Sequence, residues 1–498
     1  MTTLRSVSLP VFGAGSVCAG LYLYMSRVSD GYGAASLGDA AWVYGGAGAV
    51  LILLVAWLRF GEPQSPGGSE AAGCRSTLLW VLAFALLFRL LGVLTFPVLE
   101  DDFYRYLWDG RMFVESGSPY GPAPADFFAS PNLSQRFETI LDGINHPGLP
   151  TIYGPTLQLV FGLSYQIAPG ALWPVQCLFA LADVAVLLTL LRFVPLGSRP
   201  HLICWLLYAW SPLLIKEFAT TAHPDILGVL FVLVAFFLFQ GESQEKKQVT
   251  KNTIRLLLIG FLLALAVGVK PFALVVAPFL IRFRVQAMAG FALGILLITL
   301  PFVGFDLFSD VEAALGVWLP EGLRAMGQGW FFNAGLYEFG YWLGIRDLVL
   351  LQRIALGLFA AVWTLAWISA MVGTGSRSKK SAAPAFLSTA QSSTAPVVLV
   401  LLGLFMFVLP ALNPWYLVWW LPFAVIVPCI TPWVASVAVL LSYLSGINVS
   451  SGATLDSFGA LYTVPGWVLA IEFGSIGLAL ILDIRRVGRK WVFRRQTG

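Results

Sequence analysis

The chain has 498 residues, of which 58% are hydrophobic and only 11% charged, and its net charge is +4. A soluble protein of this length carries about a quarter charged residues, so the composition excludes a soluble globular enzyme. The small basic surplus sits at segment ends, where it reports membrane orientation rather than nucleic-acid binding.

The first apolar run, "LPVFGAGSVCAGLYLYM", has only Arg5 ahead of it and no small-residue cleavage site behind it, so it reads as a retained helix. With that run, candidate spans start near residues 8, 41, 77, 151, 171, 201, 224, 253, 285, 347, 395, 415, 432 and 465, with half-length pieces near 272 and 333. The expected fold is all-α: a polytopic transmembrane helical bundle of about 12 to 15 spans, forming one domain over residues 1–498. Arg89 and Asp183 fall inside apolar runs and are expected to pair. Cys18, Cys74, Cys177, Cys204 and Cys429 show no paired spacing, which argues against a disulfide framework or a metal site.

Residues 99–152 form the longest polar stretch. "LEDDFYRYLWDGR" sets Glu100, Asp101 and Asp102 against the end of an apolar run. Acid beside hydrocarbon is costly unless it has partners or a purpose. The next residues read as an amphipathic helix in the interface plane. Arg105/Asp109 and Arg111/Glu115 are each four apart, and Tyr104, Leu107, Trp108 and Met112 form the apolar side. "SGSPYGPAP" breaks it, and "INHPGLPTIYGPT" leads back into the membrane.

Lys and Arg place the N-terminus, the linkers 241–252 and 373–394, and the tail "RRVGRKWVFRRQTG" on the cytoplasmic side. The outer face then collects Asp101, Asp102, His146, His223, Asp225, Lys270, Asn413 and Tyr416. Each has a bland reading: solvated acids, a structural histidine, helix-end prolines, a snorkelling lysine. Shared sidedness of all eight favours a site. One conflict stands. Residues 151–216 read as three spans although both flanks are external, so one piece is re-entrant or interfacial.

Four patches, "EDDFYRYLWDGRMFVESGSPYG", "INHPGLPTIYGPTLQLVF", "SPLLIKEFATTAHPDILGVL" and "NPWYLVWWLPF", resemble the bacterial GT-C glycosyltransferases. The nearest likeness is to polyprenyl-phosphate-mannose-dependent mannosyltransferases and glycosyltransferase family 87. The resemblance implies an inverting transfer of a hexose, mannose above all, from a polyprenyl-phosphate donor to a glycan or lipid acceptor. The active site would lie on the periplasmic face of the bacterial inner membrane, and an acid of the first outer loop, Asp101 or Asp102, would act as general base. Arg105, His146, Tyr153, His223, Asp225, Lys270, Asn413, Trp415 and Tyr416 become the substrate-binding candidates. Arg105, Lys270 and Arg324 could meet the phosphate, and Trp415 and Tyr416 a sugar face or the aromatic belt. The sequence departs from relatives in "TTAHPD", where a Gly-His-Asn-Asp-like stretch is common, and in Gly154, where Pro is usual.

No cofactor and no metal ligand is expected, although paired acids leave Mg²⁺ or Mn²⁺ open. Alternatives are an arabinose or aminoarabinose transferase with the same base, and a transporter or flippase. A transporter would set its polar groups near the midplane in broken helices, not at the outer ends.

Overall fold

A computed structural model describes residues 4–496 apart from positions 32, 61–68, 132, 195–198, 242–248, 305–310, 327–330, 373–393 and 446–463. The described residues are almost entirely helical, with one isolated β-bridge and no strand. Eight helices among them are long and apolar enough to cross a bilayer, and four shorter apolar helices join them. All of the linker 373–394 but its last residue, and most of that at 241–252, lie outside the described residues.

The N-terminal helices are α1 (Leu4–Val28), α2 (Gly46–Phe60) and α3 (Ser69–Val93). α1 packs along both others, so it is an integral part of the bundle. The outer loop contributes α4 (Phe103–Ser116) and α5 (Gln135–Asp142). α6 (Pro155–Ile167), α7 (Trp173–Leu190) and α8 (Arg199–Ala209) follow. Then come α9 (Asp225–Gln240), α10 (Val249–Val269) and α11 (Val285–Val303).

α6 resolves the conflict over residues 151–216. Its 13 residues rise about 20 Å, well short of the ~30 Å hydrocarbon core. It lies against α4, and a Cβ on Gly110 would collide with the Phe161 backbone. The run near 151 is therefore not a span, and two crossings remain. The run near 415 is likewise no span. Pro414 and Pro422 remove amide donors, leaving a 3-10 turn over Pro414–Trp419 and a six-residue helix over Leu421–Ile426. The piece near 272 is short as expected, with a 3-10 turn at Pro271–Val275 and a helix at Ala277–Ile281.

α10 and α11 make the closest crossing. A Cβ on Gly260 would strike the backbone of Ala287 and Phe291, and one on Gly290 the backbone of Leu257. Small residues let helix backbones approach where hydrocarbon gives no hydrophobic drive to associate.

α4 is amphipathic, but its buried side is wider than the sequence suggests. Phe103, Tyr106, Leu107, Trp108, Asp109, Gly110 and Met112 are all enclosed. Both expected i,i+4 pairs form, Arg105–Asp109 at 3.0 Å and Arg111–Glu115 at 2.7 Å. The first is a buried brace rather than a surface pair. Asp109 also accepts from Thr151 Oγ1 at 2.5 Å and Gln158 Nε2 at 2.9 Å, so one carboxylate ties α4 to the return of the loop.

Arg89 and Asp183 pair as expected, at 2.7 Å, and both are buried. Arg89 also donates to the carbonyls of Ala85 and Ala209, and the Tyr208 hydroxyl donates to Asp183. The cluster fastens α3 to α7 and α8. Asp183→Asn would strand the guanidinium, so it should cost about 3–5 kcal/mol of stability. Adding Arg89→Met should recover most of that loss. Thermal unfolding in detergent reads both effects, and an additive further loss in the double variant would refute the pairing.

Candidate active site

The chain leaves α3 through an irregular segment and turns sharply into α4. Leu99, just before the acids, has φ 68°. Ala222, next to His223, has φ 58°, and His146 itself has φ 51°. These are left-handed conformations at residues with side chains, which cost energy and persist only where surrounding packing holds them. All three flank the same cluster.

Asp101 is held by Asn145, whose Nδ2 donates to its Oδ1 at 2.5 Å. The same amide lies 3.4 Å from Asp102 Oδ1. The Tyr153 hydroxyl points at Asp102 Oδ2 from 3.4 Å, and His223 Nε2 faces that oxygen at 3.9 Å. The Asp102 side chain keeps 27% of its surface open while His223 is buried, so the carboxylate is the reachable member of that pair. His146 is half-buried, and that burial lowers its pKa, opposed by the Asp102 charge. Glu100 stands behind the pair, and burial pushes its carboxyl well above the usual range; Lys216 opposes this, while Asp102, Glu217 and Asp101 add to it.

His223 does not stand alone. Its Nδ1 lies 2.9 Å from Glu217 Oε2, and Trp415 stacks on the imidazole at 3.8 Å with 10° between planes. One face of Trp415 is thus spent on the protein itself. A second group adjoins. Lys270 Nζ pairs with Asp225 Oδ1 at 2.9 Å and sits 3.6 Å from the centre of the Tyr416 ring. Trp419 Nε1 donates to the same Asp225 oxygen at 2.7 Å. Lys270 remains 21% exposed while Asp225 is buried. Asn413 heads the turn that carries these rings, its carbonyl accepting from the Tyr416 amide.

Asp101, Asp102, His146, Tyr153, His223 and Trp415 therefore form one cluster, and Asp225, Lys270 and Tyr416 a neighbouring one. Arg105 is directed elsewhere: its Nε and Nη2 engage Asp109 and the Leu149 carbonyl. Arg324 is exposed on the short helix Glu321–Met326, which packs against the Pro150–Thr151 backbone at Gly322. Three participants went unnoticed in the sequence: Asn145, Tyr443 and the Lys216–Glu217 pair. Two opposite charges in the run "SPLLIKEFAT" are a functional signal by themselves. Asn145 and Tyr443 carry no such mark. Among the described residues no three His, Cys, Asp or Glu side chains converge as a metal cage.

A family model described as alpha-(1->6)-mannopyranosyltransferase, N-terminal domain, matches residues 8–286, more than half of the chain. The chain belongs to this mannosyltransferase family. The match takes in the acids, the loop return, His223 and Lys270, and ends before Asn413, Trp415 and Tyr416. No curated protein and no solved structure matches. The protein is a multi-pass membrane glycosyltransferase of the GT-C kind, and mannose transfer takes precedence over the arabinose and transporter alternatives.

Proposed function

We propose that this mannosyltransferase takes mannose from a polyprenyl-phosphate donor and transfers it, with inversion, to a hydroxyl of a cell-envelope glycan or lipid. Asp102 is the general base. What supports this is the reachable Asp102 carboxylate at the centre of Asn145, Tyr153 and His223. Asp101, tied tightly to Asn145, holds the loop in place.

In the reaction the acceptor hydroxyl gives its proton to Asp102 as its oxygen bonds to the anomeric carbon. The bond from that carbon to the phosphate oxygen breaks, and the lipid phosphate leaves with the electron pair. Lys270 is the partly exposed cation of the neighbouring group and meets the phosphate. An α-(1→6) product formed with inversion calls for a β-linked donor and a 6-hydroxyl acceptor. No divalent metal is needed in this scheme, because a lipid-monophosphate donor carries less charge than a diphosphate one. The site faces the periplasmic side of the bacterial inner membrane.

Purified protein in EDTA should transfer mannose from β-linked polyprenyl-phosphate mannose to an α-mannoside. Asp102→Asn should cut that rate about 100-fold or more, with Asp101→Asn less severe. Full activity of Asp102→Asn would refute the assignment, and activity restored only by Mg²⁺ or Mn²⁺ would reverse the metal-free reading. Lys270→Ala should raise the KM for donor more than it lowers kcat. An unchanged donor KM would clear Lys270 of phosphate binding. Sidedness is read separately. A cysteine at Ser118, in a background lacking the native cysteines, should react with an impermeant thiol reagent from the periplasmic side only.

A further inference from the structure

The transfer scheme leaves Lys216 and Glu217 without a task, although they are 1% and 0% exposed inside an apolar span. They pair at 3.2 Å. Tyr443, from the segment Val439–Tyr443, donates its hydroxyl to Glu217 Oε1 at 2.8 Å and also meets the Lys216 ammonium. The other carboxylate oxygen, Oε2, is turned to His223 Nδ1 at 2.9 Å. Thr221 Oγ1 lies 3.1 Å from the same nitrogen. A carboxylate accepts only, so the hydrogen sits on Nδ1 and the lone pair on Nε2. His223 Nε2 is buried without a hydrogen-bond partner and faces Asp102 Oδ2. The 3.9 Å gap is too long for a direct bond and suits one bridging hydroxyl or water. Trp415 covers one face of the imidazole. The groups around His223 are thus Asp102 from the outer loop, Glu217, Lys216 and Thr221 from its own segment, and Trp415 and Tyr443 from the C-terminal half.

We propose that Asp102, His223 and Glu217 form a proton relay, with Glu217 as the positioning residue that orients His223. The inference rests on Asp102 being the base. The proton taken from the acceptor hydroxyl passes from Asp102 to Nε2 of His223, and Asp102 is ionised again. The imidazolium is balanced by the re-ionised Asp102 in front of it, while Glu217, paired with Lys216, accepts the Nδ1 hydrogen. After product leaves, the proton returns through Asp102, the solvent-reachable member, to water.

The test is a kinetic cycle on the full-length protein, with the β-linked donor varied at saturating acceptor. His223→Gln leaves the Lys216–Glu217–Tyr443 cluster intact and cannot hold the proton. His223→Gln and Glu217→Gln should each lower kcat about tenfold or more, with donor KM within about twofold of the parent. The double variant should be no slower than His223→Gln alone, because Glu217 acts only through His223. Should Glu217→Gln fail to fold, Lys216→Met/Glu217→Gln removes both charges and takes its place in the cycle. Multiplying losses would refute the positioning role. A raised donor KM with kcat unchanged in His223→Gln would make His223 a phosphate contact and end the relay. Normal kcat in His223→Gln beside an inactive Asp102→Asn would end it too while sparing the base. An active Asp102→Asn would instead remove the reading beneath both.

Discussion

Lys216 and Glu217 are neighbours in sequence inside one of the most enclosed spans of the protein. Neither charge could stay there alone, since an unpaired ion in a low-dielectric interior costs several kcal/mol even after relaxation. Their mutual pairing, completed by the Tyr443 hydroxyl, permits a carboxylate to stand directly behind His223. The His223 ring in turn faces Asp102, and the strained backbone at Ala222 keeps it there. An apolar replacement of the pair would suit the span better and would leave the imidazole unanchored. Arg89 and Asp183 obey the same rule in another place, but serve only to fasten three helices.

Much of this could be read from the residues. The helical class follows from composition, the Arg89–Asp183 pair from two charges in apolar runs, and the gathering of Asp102, His146, His223 and Lys270 from their shared sidedness. What failed had physical causes. Hydropathy measures apolar length, not regular helix, so α6 and the segment from Pro414 to Ile426 look like crossings although one is too short and the other is broken by proline. Asp109 looks like a surface partner for Arg105 because the i,i+4 spacing says nothing about Thr151 and Gln158 arriving from forty and more residues away. Asn145 and Tyr443 are ordinary residues made important by tertiary placement alone. The aromatic turn offers a further lesson. Trp415 and Tyr416 suggest sugar stacking, yet their rings hold His223 and Lys270.

The site divides its work between a wet and a dry side. Asp102 and Lys270 keep part of their surface open, where charge can be exchanged with a substrate. Glu217, Asp225 and His223 lie behind them, sealed by Trp415 and Trp419. Electrostatic interactions strengthen in the dry layer, so small displacements there alter the groups in front.

The parallel bridge between Phe332 and Ala411 joins two segments of the C-terminal half just before the aromatic turn. The segment matched to the family ends at residue 286, yet the rings over His223 and beside Asp225 arrive from beyond residue 410. The sequence boundary at which family likeness fades is thus not the edge of the working unit. A chain halted there would keep every acid and both lysines of the centre, but its imidazole would lie bare on one face and Asp225 would have lost its indole donor. The C-terminal half must deliver both that turn and the Tyr443 hydroxyl for the centre to close.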